Sequence, residues 1–376
     1  MRLGYSYWGF LGDQKMNSAG EELSTPDGNA TYSWSIIHEA QKRGWDVYAM
    51  QQDRDAPGWD RMKSSLFSAF SKVKRTLAYA NLIQTDGVRL PDLDVLLVEW
   101  RWQIFGKNCE DTEDGLIMKA PGLDPDYHRQ FQLLTHYAKK GTKLIVWDLD
   151  HKFGVWDEAF CKQQFGSFTI FETSRTPRRL TQERIGVEPP TVVSDLLEHI
   201  TLPSDPHRKL VYVGSRYERD DVIEEWIKPV STRFPGEIEF WGNWTRPETL
   251  AECKKMWPDV SYNGRITTKD FRRAYGTAVA CPLLAKKSYL ETGFITPRPW
   301  EALQFGTIPV GLAAHHGVEN YVLEHLIARD PQDMIDVVDW LSNLNEGARK
   351  LTREANVEKL QFMDVKHFVD KIERAS

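Results

Sequence analysis

Apolar residues in this chain gather in short runs of strand length, separated by polar stretches in which apolar positions recur at helical spacing. MRLGYSYW (1–8) is the first run, followed by the turn-rich GFLGDQ and a polar stretch ending in STPDGN (24–29). A helix is predicted over 30–43, with Ile36, Ile37 and Ala40 at core spacing and a stop at Gly44. WDVYAM (45–50) resumes extended structure. Strand, helix, strand in that order opens an α/β unit with parallel strands.

The order repeats. DVLLVEW (94–100) is a near-continuous apolar run, and a helical segment over 127–140 leads through Gly141 to KLIVWDLD (143–150). FTIF (168–171) is another short strand. From about 190 the rhythm restarts with VVSDLL, KLVYVGS (209–215), a helix over 220–228, EIEFWGN (237–243) and a helix over 269–278. AVACPLLA, a helix within FITPRPWEALQFG (294–306) and TIPVGLA come next, and the tail from 331 to 376 is helical in pattern. The expected fold class is α/β, with two successive doubly wound units.

Composition narrows the functional classes. At 376 residues with 41% hydrophobic and 27% charged positions, the chain is long enough for two folded domains and leaves little room for disorder. Its 14 Trp are mostly expected in cores, although Trp and Tyr in loops also stack on sugars and bases. A net charge of -6 excludes a protein that coats nucleic acid by charge alone, but not one with a local basic patch. Cys109, Cys161, Cys253 and Cys281 form no C-x-x-C pair, so neither a zinc site nor a disulfide framework is signalled. The start lacks a signal-peptide pattern and no apolar run approaches a membrane span, so a cytoplasmic protein without membrane association is expected.

Open parallel sheets bind ligands beyond the carboxyl ends of their strands, which directs attention to three loops. In GSRYERDD (214–221), Gly214 and Ser215 allow close backbone approach while Arg216 and Arg219 suit a diphosphate; alternatively, both arginines simply pair with Glu218 and Asp220. Neither a G-x-G-x-x-G nor a G-x-x-x-x-G-K-[ST] loop is present, against a dehydrogenase or a P-loop NTPase. In FITPRPWE, Glu301 can serve the helix dipole or accept ribose hydroxyls, and Arg298 can reach a phosphate from a turn stiffened by Pro297 and Pro299. In WDLDH (147–151), Asp148 and Asp150 either cap the next helix or supply a general base.

Taken in order, these residues resemble the DNA β-glucosyltransferases of T-even bacteriophages, GT-B enzymes that add glucose from UDP-glucose to 5-hydroxymethylcytosine in duplex DNA. The likeness is strongest over 210–311, where VYVGSRYER, IEFWGN, YNGRI and F-I-T-x-R-x-W-E recur. It implies two Rossmann-like domains facing across a cleft: an acceptor domain over 1–190, a donor domain over 191–350, and a helix over 351–376 packing back on the first. It places Arg216, Arg219 and Arg298 on the diphosphate, Glu301 on the ribose, Trp241 and Gly242 in the donor pocket, and Ile266 at the uracil. VWDLDHKF aligns with the segment holding the catalytic aspartate, which gives Asp148 the general-base role, and WQIFGKN near Phe105 resembles the acceptor side.

One departure stands out: the family's second acceptor-site glutamate has no counterpart at 30–32, which holds no acid, and Asp27 or Glu22 are the candidate substitutes. The first loop, 9–29, is also longer.

The resemblance implies an inverting transferase that moves a sugar from a UDP-sugar to a 5-hydroxymethylpyrimidine, flipped out of duplex DNA. It implies no tightly bound cofactor, and a divalent cation is compatible but not required. KVKRTLAY (72–79) and SRTPRRLTQER (174–184) offer phosphate contacts through Lys72, Lys74, Arg75, Arg178 and Arg179, and a monomer is expected. The competing readings are a GT-B enzyme acting on a lipid, polysaccharide or small molecule, and a catalytically silent binding module.

Overall fold

The computed structural model describes residues 1–6, 28–51, 74–77, 90–100, 109–112, 115–118, 133–149, 151–173, 184–191, 206–266 and 271–376. These fall into two compact units, one built from 29–190 with the first strand and residues 365–376, the other from 191–364.

The first unit contains β1 (Arg2–Ser6), α1 (Gly28–Lys42), β2 (Asp46–Gln51), β3 (Lys74–Leu77), β4 (Val95–Glu99), β5 (Cys109–Thr112), β6 (Gly115–Met118), β7 (Lys143–Asp148), α2 (Val155–Phe165), β8 (Thr169–Glu172) and β9 (Arg184–Gly186). Seven strands form a parallel sheet in the order β3-β2-β1-β4-β7-β8-β9, while β5 and β6 make a separate antiparallel hairpin. Every residue of β4 is buried, and so is all of β7 after Lys143. Covered faces on both sides explain why VLLVE and LIVW run apolar without alternation. Trp100 packs edge-on against Phe153 at 4.8 Å, and Trp147 lies 4.8 Å from Phe368 of the C-terminal helix.

The second unit begins with β10 (Arg208–Val213), then a continuous helix α3 in three segments: Asp220–Val222, a π turn at Ile223–Ile227, and Lys228–Arg233. Next come β11 (Ile238–Trp241), α4 (Pro247–Met256), β12 (Val260–Asn263), α5 (Phe271–Tyr275), β13 (Ala278–Pro282), α6 (Lys287–Thr292), α7 (Arg298–Gln304), β14 (Ile308–Leu312), β15 (Ile327–Ala328), α8 (Pro331–Asn343) and α9 (Glu346–Lys359). Six of these strands form a parallel sheet, β12-β11-β10-β13-β14-β15. The final helix, α10 (Val365–Ala375), belongs to the first unit, whereas α9 stays with the second.

Both sheets share one winding: the unit's first strand is central, and the chain fills one side before crossing to the other. Strand order therefore reverses between β1 and β4 in one sheet and between β10 and β13 in the other. Such switch points open a crevice at the carboxyl ends of the two strands, where α/β proteins bind ligands.

Two departures from the sequence reading have physical causes. The helix expected to stop at 228 continues to Arg233, because the π turn just before Pro229 absorbs the missing N–H and the ring's demand for space. The basic run 174–184 does not end on the surface: Arg184 lies in β9 and is 4% exposed.

Candidate functional site

At the switch point of the second sheet, Gly214 follows β10 and is wedged between aromatic and cationic groups. Its N–H donates to Trp241 O at 2.9 Å and its carbonyl accepts from Trp244 Nε1 at 2.8 Å. A Cβ on Gly214 would fall 2.6 Å from Tyr212 Oη and 2.8 Å from Arg298 Nη2. One on Gly242, whose φ is +144°, would fall 2.1 Å from Gly214 O. Glycine at these two positions is a steric requirement.

Arg298 opens α7 and is buried. Its Nε donates to Val213 O (3.0 Å), at the end of β10, and its Nη1 to Leu284 O (2.8 Å), just past β13. The guanidinium thus spans the two strand ends that define the switch point, with Tyr212 beneath it at 4.7 Å. Arg219, also buried, curls back so that Nη1 donates to Tyr217 O (2.7 Å), while its Nε is buried without a partner. Among the described residues neither arginine forms a salt bridge, so two desolvated cations flank the 213–217 turn without a carboxylate partner. Buried charge of that kind is costly, and an anionic ligand compensates it.

Arg216 differs. It is held bidentately by Asp220 (2.8 and 2.6 Å), one of the two acids named for it in the sequence alternative, and by Glu252 (2.5 Å), which that alternative did not include. Glu301, in the first turn of α7, is partly buried and accepts from Tyr275 Oη at 3.4 Å. Burial pushes its carboxyl up to about 7, against the opposing pull of Arg298 and Tyr275. Trp241 and Ile266 share one core cluster with Val213, Tyr275 and Ala302. The structure thus brings Gly214, Arg219, Trp241, Gly242, Ile266, Arg298 and Glu301 to one end of one sheet, with Ser215 on the adjoining turn.

In the first unit, Asp148 ends β7 and pairs in register with Glu172 at the end of β8. Asp148 is 1% exposed. Its Oδ1 accepts from the Lys152 N–H at 2.6 Å, and the Phe153 N–H adds a second backbone bond, while Oδ2 is buried without a partner. Burial pushes the carboxyl up to about 6, and nearby Glu172 adds to the shift. Asp148 is therefore both a cap for the following turn and a desolvated carboxyl with a spare oxygen.

Sequence reasoning missed the groups around it. Glu172 is fully buried; burial alone would raise its pKa, but His151 and Arg184 outweigh that and hold it below the ordinary carboxylate range. Arg184 Nη1 donates to Glu172 (2.7 Å), and its Nε and Nη2 donate to Glu158 (3.0 and 2.7 Å). His151, in a left-handed backbone at φ +58°, brings Nε2 to 3.1 Å from Glu172 Oε1, an ion-pair distance once the imidazole is protonated. At the first sheet's own switch point, Tyr5 Oη donates to buried Glu99 at 2.5 Å. An acid closing an apolar strand was the available signal for both Glu99 and Glu172.

Lys72, Phe105, Asp150, Arg178, Arg179, Glu22 and Asp27 lie outside the described residues, as do the side chains of Lys74 and Arg75, although their backbone forms edge strand β3. Among the described residues, no group of three or more His, Cys, Asp and Glu side chains is placed to hold a metal, and no helix is long and apolar enough to cross a membrane.

No protein-family model matches the chain, and no curated protein matches it in sequence. Solved structures do resemble it. T4 phage β-glucosyltransferase, in complex with its UDP-glucose substrate, superposes with a TM-score of 0.58 at 16% identity, covering 100% of this chain and 99% of that one. Anabaena HepE, in complex with UDP and glucose, gives 0.57 at 11% identity over 99% and 98% of the two chains. A Thermobaculum terrenum O-GlcNAc transferase mutant gives 0.55 at 12% identity over 100% of this chain and 66% of that one. The chain has the GT-B fold, with two Rossmann-like doubly wound domains.

Proposed function

We propose that this protein is a UDP-sugar-dependent glycosyltransferase that acts with inversion, and that its acceptor is the hydroxyl of a 5-hydroxymethylpyrimidine, foremost 5-hydroxymethylcytosine, in duplex DNA. The observation that carries the donor half is the pair of buried guanidiniums, Arg298 against Gly214 and Arg219 on the turn that follows, neither of which forms a salt bridge among the described residues. A diphosphate satisfies both, together with the backbone around Gly214 and Ser215. Arg216 joins them by exchanging its bonds to Asp220 and Glu252. Glu301 accepts the ribose hydroxyls, Trp241 and Gly242 line the donor pocket, and Ile266 contacts the uracil. The solved neighbours bound to UDP-glucose, or to UDP and glucose, support this assignment.

In the reaction the hydroxymethyl oxygen attacks the anomeric carbon and its proton passes to the general base. The bond from that carbon to the phosphate oxygen breaks, and its electron pair leaves with UDP, stabilised by the arginines. A single displacement inverts the anomeric centre. Asp148 is the assigned base, with its unpartnered Oδ2 as the proton acceptor. Because that oxygen is sealed, the assignment requires a rearrangement that uncovers it, and Asp150, two residues on in sequence, is the competing base. The target base leaves the helix to reach the site, and Lys72, Lys74, Arg75, Arg178 and Arg179 are assigned to backbone phosphates.

A second reading is a GT-B enzyme with a non-DNA acceptor, and the superpositions on T4 phage β-glucosyltransferase and on HepE support the donor half of both readings alike. Incubation with a panel of UDP-sugars and duplexes carrying each 5-hydroxymethylpyrimidine, followed by nucleoside mass analysis, separates the two. A glycosylated nucleoside supports the DNA acceptor. UDP-sugar turnover with other acceptors but none with any duplex, together with no salt-sensitive DNA binding, rejects it.

A further inference from the structure

The donor-side helix α7 has only seven residues, less than two turns, and a helix that short takes its position from tertiary contacts. It is gripped by a guanidinium at each end. Arg298 fastens the first turn to Val213 and Leu284. At the other end Arg353, from α9, donates Nε to Leu303 O at 2.8 Å, fifty residues away in sequence. Leu303 O also accepts from the Gly306 N–H, at 3.4 Å, so Arg353 supplies the shorter of these two bonds at a helix terminus whose dipole favours a cation.

Arg353 is 0% exposed, and its Nη1 and Nη2 are buried without partners among the described residues. Burial pulls its pKa down to about 10. A methionine would fill such a place on α9 without the desolvation cost. The neighbouring Asn356, equally buried, shows what ordinary anchoring of α9 looks like: Oδ1 accepts from the Leu323 N–H at 3.3 Å and Nδ2 donates to Thr352 O at 2.9 Å, and neither bond goes to α7.

We propose that Arg353 is a positioning residue for the nucleotide-sugar donor: by holding the last turn of α7 it sets where Arg298 and Glu301 stand. This rests on the donor reading given above. The test measures binding of UDP-glucose by calorimetry to the wild type and to Arg353→Met, Arg353→Lys and Asn356→Ala, with melting curves for each. Loss of one charged hydrogen bond from the support predicts about tenfold weaker binding for Arg353→Met, with most of it recovered in Arg353→Lys. Asn356→Ala, which loosens the same helix elsewhere, is expected to lower the melting temperature while leaving affinity near wild type.

A folded Arg353→Met with wild-type affinity overturns the proposal, as does an Asn356→Ala that weakens binding as much. Should Arg353→Met not fold, Arg353→Lys decides: a two- to threefold loss, roughly the cost of one distorted bond, supports the role, and unchanged affinity removes it. If the wild type itself does not bind UDP-glucose, the donor reading fails and takes this inference with it.

Discussion

Glu301 offers a pH test that can be worked through from the structure. Burial pushes its carboxyl up to about 7, so near neutrality the unliganded protein holds a mixture of carboxylic acid and carboxylate. Two ribose hydroxyls donate well only to the ionised form. The ionised fraction rises from about one tenth at pH 6 to about nine tenths at pH 8, so the affinity for UDP-glucose should rise about tenfold across that interval. UDP-glucose is the right probe because its diphosphate is a diester and has no titration of its own in the window.

The sign for stability is opposite. A folded-state pKa above the unfolded value of 4.5 means the folded protein binds the extra proton, so this residue's contribution falls as pH rises from about 4.5 to about 7. Calorimetric titration of wild type and Glu301→Gln at several pH values is the assay. The variant should bind more weakly than the wild type at pH 8 and show no rise. A wild-type affinity flat between pH 6 and 8, or a Glu301→Gln variant with the same slope, refutes the reasoning.

Three further outcomes are expected. Gly214→Ala places a methyl 2.6 Å from Tyr212 Oη and 2.8 Å from Arg298 Nη2, and should cost about 1–3 kcal/mol in urea unfolding and most of the UDP affinity. Arg184→Met leaves Glu158 and Glu172 buried without their shared partner and should destabilise by about 3–5 kcal/mol at neutral pH. Those carboxyls are held below their ordinary value of 4.5 in the folded wild type, so their contribution is present above that pH and declines below it. Asp148→Asn should lower kcat at least about a hundredfold with UDP binding intact, and Asp150→Asn, measured beside it, shows which of the two acids takes the proton.

The parallel sheets were readable because strands covered on both faces carry unbroken apolar runs, as in VLLVE of β4 and AVACP of β13. Helix α4 escaped because PETLAECKKM buries only Cys253 and shows no apolar face. The continuation of α3 escaped because Pro229 ordinarily marks a stop, and only a widened turn carries a helix through it. On the donor side, residue types and strand-end positions singled out Gly214, Arg298 and Glu301 as candidates, but whether an arginine meets a neighbouring acid or stays unpaired depends on where side chains point. Arg216 found Asp220 and Glu252, whereas Arg219 four residues from Ser215 turned to backbone carbonyls instead. The Glu158–Arg184–Glu172 network joins three separate elements, and local sequence carries no trace of such a meeting.

The central claim, that Arg219, Arg298 and Glu301 form one site for a uridine diphosphate, is tested most directly by a crystal structure with UDP bound. The account predicts the diphosphate against Gly214 with both guanidiniums within hydrogen-bond reach and the ribose hydroxyls on Glu301. UDP seated elsewhere, with neither Arg219 nor Arg298 within hydrogen-bond reach of it, would contradict it.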